Sequence, residues 1–366
     1  MNRLRTAVIG AGHLGRIHAR LAAANPNLHL IGVADPDPHS LAKLDEAIDC
    51  TIVADYRSLL SDIDAAIVAT PTRCHFDVAR TLLEHRLHTF IEKPITTDTR
   101  EADQLIAAAV RNQVILQVGH VERFNPVYKR AVAQLGEPKY IEAHRTSGYT
   151  FRSTDIGAVL DIMIHDLDLI LDWVDSEVVE VQAMGIAVLG DHEDMAQAHL
   201  EFANGCVAHL TASRISPTQQ RTMSIWGLDR FVNVDFANGR LNCVGIDQEH
   251  LSECQPLDGL DEERKQHLRD HLFETLLVEE NIEMPAANQI DDELTEFAGN
   301  ASHGKRPTAS GSDGRDAVHV AQLVLAAIKR HRWDGTSHGR IGPYAEYEAP
   351  VLASPFLTGR DLRQAG

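Results

Sequence analysis

Paired cysteines are missing from this sequence. The five present, Cys50, Cys74, Cys206, Cys243 and Cys254, are an odd number with no C-x-x-C spacing. Neither a disulfide framework nor a zinc site is supported, and reduced thiols in a cytosolic protein are the expected state. Positive charge is in deficit: 34 Lys+Arg against 53 Asp+Glu leave a net −19. That balance argues against a nucleic-acid partner and offers no basic stripe to anionic lipid. It does not exclude a bound nucleotide, because backbone N–H groups can hold phosphate locally. Apolar runs as long as a membrane span are absent, and "MNRLRTAVIGAG" enters a strand within a few residues without the apolar stretch of a signal peptide. The chain is expected to be cytoplasmic. Internal repeats and low-complexity tracts are absent as well.

What is present begins with a rhythm. Across residues 5–120, apolar runs ("RTAVIGAG", "LHLIGVAD", "AAIVATP", "HTFIEKP", "VILQVGH") alternate with helical patterns ("LGRIHARLAAA", "HSLAKLDEA", "CHFDVARTLLEH", "TREADQLIAAAVRN"). This is the signature of βαβ units on a parallel sheet. After "ERFNPVYKRAVAQLGEPKY" the texture changes to longer strand candidates, from "YIEAHRTSG" through "GRLNCVGI", several joined by hairpin turns such as "ANG" and "GLDR". The second half therefore reads as α+β on a mostly antiparallel sheet. Residues 258–272 read as an exposed charged helix, and two further helices follow, the second begun by Ser312 or Asp313. With 366 residues, two domains are expected. In "AQAHLEFA" and "VAHLTASR", Ala198, Leu200, Phe202, Leu210 and Ala212 fall on one sheet face, with Ala and Val expected on the other. An open face of that kind is expected to bury itself in a homodimer or homotetramer.

"VIGAGHLGRIHA" carries Gly10, Gly12 and Gly15 as G-x-G-x-x-G between a strand and a helix. Gly10 permits the tight turn, Gly12 admits a pyrophosphate, and Gly15 lets helix and strand pack closely. His13 and Leu14 lie at the helix N-terminus, where free N–H groups meet phosphate. Asp35 ends the second strand 20 residues after Gly15, where a carboxylate accepts from a ribose 2′-OH and repels a 2′-phosphate. The cofactor is read as NAD rather than NADP. The expected fold is α/β, with a Rossmann dinucleotide-binding domain over 1–123 and an α+β substrate and oligomerisation domain with a large open sheet over 124–332. An extended tail is expected over 333–366. "ATPTRCH" (Thr70, Pro71, His75) and "IEKP" (Glu92, Lys93) follow the next strands at the carboxyl edge, where such a sheet holds its ligand.

"GAVLDIMIHDLDLIL", Gly157 to Leu171, is apolar enough for a buried helix, yet Asp161, His165, Asp168 and Asp172 follow i, i+4, i+7, i+11. On a helix they share an arc of roughly 60°, a polar stripe that must face water or a function. A divalent-metal cluster of His165, Asp166 and Asp168 is disfavoured, because adjacent helical residues diverge by about 100° and no second His-Asp cluster is evident. No metal is expected.

With these residues assembled, the chain resembles the glucose–fructose oxidoreductase / inositol 2-dehydrogenase / rhizopine-catabolism superfamily over roughly residues 4–330. "GAGHLG", "ATPTRCH", "EKP" at 92–94, "GHVERFNP", "DIMIHD" and "ELTEFAGNASHGKRPTASGSDGRDAV" carry the resemblance. It implies that Lys93, Asp161 and His165 line a substrate pocket against the nicotinamide, that the stripe faces the cleft between domains, with Asp168 and Asp172 read as structural or solvent-facing, and that the Lys93–Pro94 bond is cis. In the working mechanism His165 is the base, Lys93 a cation for the developing alkoxide, and Asp161 orients the imidazole or binds a sugar hydroxyl. "GHVERFNP" and "VLDIMIHDLDLIL" are most similar to the branch that oxidises the 3-hydroxyl of UDP-N-acetylglucosamine. Arg145, Arg152 and Arg214 are candidates to meet its diphosphate. The alternatives are an inositol-type polyol dehydrogenase and a non-catalytic NAD-binding sensor; a sensor is expected to lose the Lys or the His, and both are retained.

Overall fold

The computed structural model describes residues 3–151, 153–246 and 259–344; Arg152, Cys254 and residues 345–366 of the expected tail lie outside them. Two sheets organise the chain. Sheet A contains β1 (Leu4–Ile9), β2 (Leu28–Ala34), β3 (Thr51–Val53), β4 (Ala65–Val68), β5 (His88–Glu92) and β6 (Leu116–Gly119), all parallel in the order β3-β2-β1-β4-β5-β6. Ala7, Val8 and the whole of Ala65–Val68 are fully buried, the continuous apolar run demanded by a parallel sheet covered on both faces. Because β2 and β4 flank β1 in opposite chain directions, the loops after β1 and β4 part to leave a crevice at their carboxyl ends.

Crossover helices His13–Ala24, His75–Glu84 and Thr99–Asn112 match the expected patterns. The helix expected over "HSLAKLDEA" is a single turn, Pro38–Leu41. Asp37 caps it, and the Asp45 carboxylate accepts from the Ala47 N–H at 3.0 Å, a local bond that competes with helix continuation. One face of sheet A is closed from far along the chain. Helix Gln289–His303 brings Leu294, Phe297 and Ala298 into one core with Val8, Leu28, Ile67 and Phe90, the Phe90 and Phe297 rings standing 5.8 Å apart.

Sheet B has eight strands: β7 (Tyr140–Thr146), β8 (Val178–Ile186), β9 (Met195–Phe202), β10 (Val207–Ser213), β11 (Gln220–Trp226), β12 (Arg230–Asp235), β13 (Arg240–Ile246) and β14 (Leu277–Glu283). Their order is β14-β13-β12-β11-β7-β10-β9-β8, with β7–β10 the one parallel pair. Ala198, Leu200, Phe202, Leu210 and Ala212 are buried on the inner face, as their alternation requires. The outer face departs from the expected Ala and Val. It presents Gln197, His199 and Glu201 on β9, Val207, His209 and Thr211 on β10, and a half-buried aromatic row of Tyr140, Trp226 and Phe231 with neighbouring rings 5.1 and 4.7 Å apart. Period-2 alternation identifies the buried side but says nothing of what the other side carries.

The expected charged helix appears as Glu262–Asp270 and a turn at Leu272–Thr275; no residue of Glu262–Asp270 is buried. The long helix Gly311–Arg330 packs on Thr99–Asn112, on Ile164–Val174 and on β8, and so joins both halves. Its cap is Ser310, two residues before Ser312 and three before Asp313. Asp313 instead completes a capping box from the third helical position, accepting from the Ser310 N–H at 2.7 Å. Among the described residues, no helix is long and apolar enough to cross a membrane, and Cys50, Cys74, Cys206 and Cys243 are free thiols.

Candidate active site

Gly10 turns the chain after β1 with φ of +100°, a region that favours glycine. A Cβ on Gly10 would lie 2.5 Å from the Ala69 carbonyl oxygen, and one on Gly15 only 1.8 Å from that of Gly10. Gly12 differs, with nothing within 4 Å of the place its Cβ would take. It caps the helix that begins at His13, which has no side-chain cap and no acidic residue in its first turn. An open face, an uncapped helix start and an uncompensated dipole end together fit a dinucleotide pyrophosphate. Asp35 stands beside this turn, accepting from the Ala11 N–H at 2.7 Å and the Asp37 N–H at 2.8 Å. A carboxylate has about four lone-pair positions, so two remain for a ribose hydroxyl.

Thr70 and Pro71 follow β4, and the buried Thr70 hydroxyl has no partner. The His75 ring does not face the crevice. It is 1% exposed, and its two nitrogens lie 2.9 Å from the carbonyl oxygens of Pro94 and Thr70, clamping two strand-end loops together. His75 is therefore a structural tie and not, as expected from its place after the strand, part of the ligand-facing edge.

At the end of β5, Glu92 meets His18 Nε2 at 2.6 Å and accepts from the Lys93 N–H. Burial opposes its ionisation, yet the His18 hydrogen bond and the charges of His18 and Lys93 hold its carboxyl below the usual range. The Lys93–Pro94 peptide bond is cis. Lys93 Nζ donates to the Asp161 backbone oxygen at 2.6 Å and to its carboxylate at 3.3 Å. An ammonium has three donors, so one is left over. Asp161 thus orients Lys93 and has no hydrogen bond to His165. The imidazole of His165 has a buried Nδ1 without a partner; burial, then the charges of Lys93 and Arg145, push its pKa well below the ordinary histidine value.

The expected polar stripe is split. Val159–Met163 forms a π turn before the α-helix Ile164–Val174, and the wider turn shifts the phase between them. Asp161 and His165 reach the cleft, whereas Asp168 and Asp172 turn to Arg123. Arg123 grips Asp168 with two bonds of 2.7 and 2.8 Å in a nearly dry interior, and reaches outward to the exposed Asp172 at 2.9 Å and the Thr308 carbonyl at 3.0 Å. Burial, opposed by Arg123, pushes the Asp168 carboxyl up to about 6. His120 stands 3.6 Å from Asp168 with both nitrogens unpartnered, and burial and the Arg123 charge push it down to about 3.

Of the three arginines proposed for a diphosphate, Arg152 lies outside the described residues and the other two are already engaged. Arg145 bridges Asp166 (2.8 Å) and Glu122 (2.7 Å), and Arg214 donates to Asp194 and the Ile156 carbonyl, both at 2.8 Å. The same contacts dispose of His165, Asp166 and Asp168 as a metal set, because each aspartate faces its own arginine.

Leu14, Glu92, Lys93, Asp161 and His165 line a single cleft of about 850 Å³ between the carboxyl edge of sheet A and sheet B. Gly10, Gly12, His13, Gly15, Asp35, Thr70 and Pro71 sit along that edge; His75 is behind it. The sequence reading missed His18, His120, Glu122, Arg123 and Arg221. "GHVERFNP" contains three of them and was the available signal, read only as a block.

A family model described as an oxidoreductase family with an NAD-binding Rossmann fold matches residues 4–120, and the model of the GFO/IDH/MocA C-terminal domain matches residues 129–230. UDP-N-acetylglucosamine 3-dehydrogenase of Acidithiobacillus ferrooxidans is 42% identical over 244 residues, covering 66% of this chain and 77% of that protein. A solved structure of the enzyme of that name from the same organism superposes with a TM-score of 0.78 at 34% identity, covering 89% of this chain and 98% of the other. The scyllo-inositol 2-dehydrogenase (NAD(+)) of Bacillus subtilis is 30% identical over 236 residues, 59% of this chain and 69% of that one.

Proposed function

The chain belongs to the GFO/IDH/MocA family of NAD-binding oxidoreductases, and from that premise we propose that it oxidises the 3-hydroxyl of UDP-N-acetylglucosamine to a ketone. The observation that carries the reading is the meeting of Lys93, Asp161 and His165 in one cleft beside the glycine turn. Bound NAD supplies a nicotinamide that accepts a hydride. The protein's part is the proton and the charge. His165, kept neutral by burial, takes the hydroxyl proton. The Lys93 ammonium, held by Asp161, steadies the oxygen as it loses that proton. Gly10, Gly12, His13, Leu14, Gly15, Asp35, Thr70, Pro71 and Glu92 form the cofactor edge. In this assignment residues 1–123 serve the cofactor, and 124–332 supply the substrate face.

The test is reduction of NAD by the purified protein with UDP-N-acetylglucosamine, UDP-glucose, free N-acetylglucosamine and myo-inositol side by side. Preference for the first is expected. A higher kcat/KM on a free polyol would replace this reading with an inositol-type one, and no response to the panel would favour a sensor.

Asp35 carries the cofactor preference. Asp35→Ala is expected to weaken NAD binding about 10- to 100-fold, the scale of one charged hydrogen bond, and to narrow the gap to NADP. Fluorescence titration checks this, and tighter NADP binding by the unmodified protein would refute it. We also propose a cytoplasmic homo-oligomer that buries the outer face of sheet B. Trp226→Glu places a charge in the aromatic row and is expected to shift the mass in solution to that of a monomer. A concentration-independent monomer in the unmodified protein would end that proposal.

A further inference from the structure

The cleft is lined by four cationic side chains, Lys93, Arg145, Arg214 and Arg221. Three of them are committed. Lys93 is held by Asp161, and buried Arg145 lies between Glu122 and Asp166. Arg214 is bound to Asp194 and lies over the Tyr149 ring at 5.2 Å. A cation flanked by carboxylates offers a ligand little net charge.

Arg221 is different. It is the second residue of β11, exposed, and among the described residues it enters no ion pair and no side-chain hydrogen bond. It stands in register opposite Arg145, whose own charge is screened by two carboxylates. The result is one guanidinium with no direct partner on the wall of a cleft whose other cations are ion-paired, within reach of the charges of Glu122 and Asp166 but bonded to neither, in a protein of net charge −19. A planar fork of donors matches the oxygens of a phosphate pair, which it can bind bidentately. We propose that Arg221 is the specificity-determining residue that reads the diphosphate of a nucleotide-sugar substrate, separating it from a free sugar. The proposal rests on the nucleotide-sugar reading above and adds the residue that enforces it. Arg145 and Arg214, each paired with carboxylates, shape the wall behind it.

UDP alone is the probe. Arg221→Ala is expected to weaken UDP binding about 10- to 100-fold by calorimetry and to raise KM for UDP-N-acetylglucosamine by a like factor, with kcat changed far less. Affinity for uridine, which lacks the phosphates, is expected to stay put, and Arg221→Lys to recover part of the loss. Unchanged NADH binding shows that the variant is folded. If the unmodified protein prefers UDP-N-acetylglucosamine and Arg221→Ala binds UDP equally well, the inference falls while the substrate reading stands. An equal loss of uridine affinity would also overturn it. If the unmodified protein neither binds UDP nor oxidises the UDP-sugar, the substrate reading fails and takes the inference with it.

Discussion

His165→Ala is expected to lower kcat for alcohol oxidation by about 10²- to 10⁴-fold, the range of a lost general base. Lys93→Met is expected to cost at least as much, because it removes a cation aimed at the oxygen and leaves Asp161 without its partner. Unchanged turnover in both would sink the mechanism. The pH dependence gives a sharper reading. Oxidation needs neutral His165, and its pKa lies well below the ordinary 6.5 because burial and the Lys93 charge disfavour the imidazolium. Oxidation should therefore hold steady as pH falls through 6.5 and decline only through the lowered value. Ketone reduction needs the protonated ring and should show the opposite limb. If His165→Ala keeps the acid limb of oxidation, some other group takes the proton.

The largest effect on stability is expected at Arg123, whose guanidinium is buried. Arg123→Met leaves Asp168 as a buried carboxylate without a cation and strips Asp172 and the Thr308 carbonyl of a donor. Breaking a buried pair on one side costs about 3–5 kcal/mol, a large share of the stability of an ordinary domain. The double variant Arg123→Met/Asp168→Leu removes the orphaned charge and should recover part of the loss, which urea unfolding can measure. If the single variant unfolds at the same midpoint as the unmodified protein, the network is not the tie it looks to be.

How legible was this in the residues? The positions of the glycine turn, Asp35, Lys93, Asp161 and His165 at the cleft or along its edge were, because each lies in a short local pattern, but the bond of Lys93 to Asp161 was not. The fate of the arginines was not. Arg123 finds Asp168, and Arg145 finds Asp166 and Glu122, only when β6, β7 and the Ile164–Val174 helix come together. The split of the polar stripe was hidden for a related reason, since an ideal 3.6-residue helix has no π turn in it. β3 was too short for an apolar run, and β14, "LVEENIE", is an edge strand too acidic to look like one. The outer-face aromatics emerge from strand order, which no single strand reveals.

The closing of sheet A by helix Gln289–His303 has a consequence for synthesis. Phe297 leaves the ribosome 178 residues (297 minus 119) after β6 is complete. At 5–20 residues per second the wait lasts roughly 10–35 s. Throughout it Val8, Leu28, Ile67 and Phe90 have the helix His13–Ala24 on their face, through Ala19 and Ala22, but lack the part of their core that Leu294, Phe297 and Ala298 supply. The core on this face of sheet A is thus completed only when the later helix arrives. A message cut short before residue 289 would yield a fragment with part of that core exposed, in need of a chaperone.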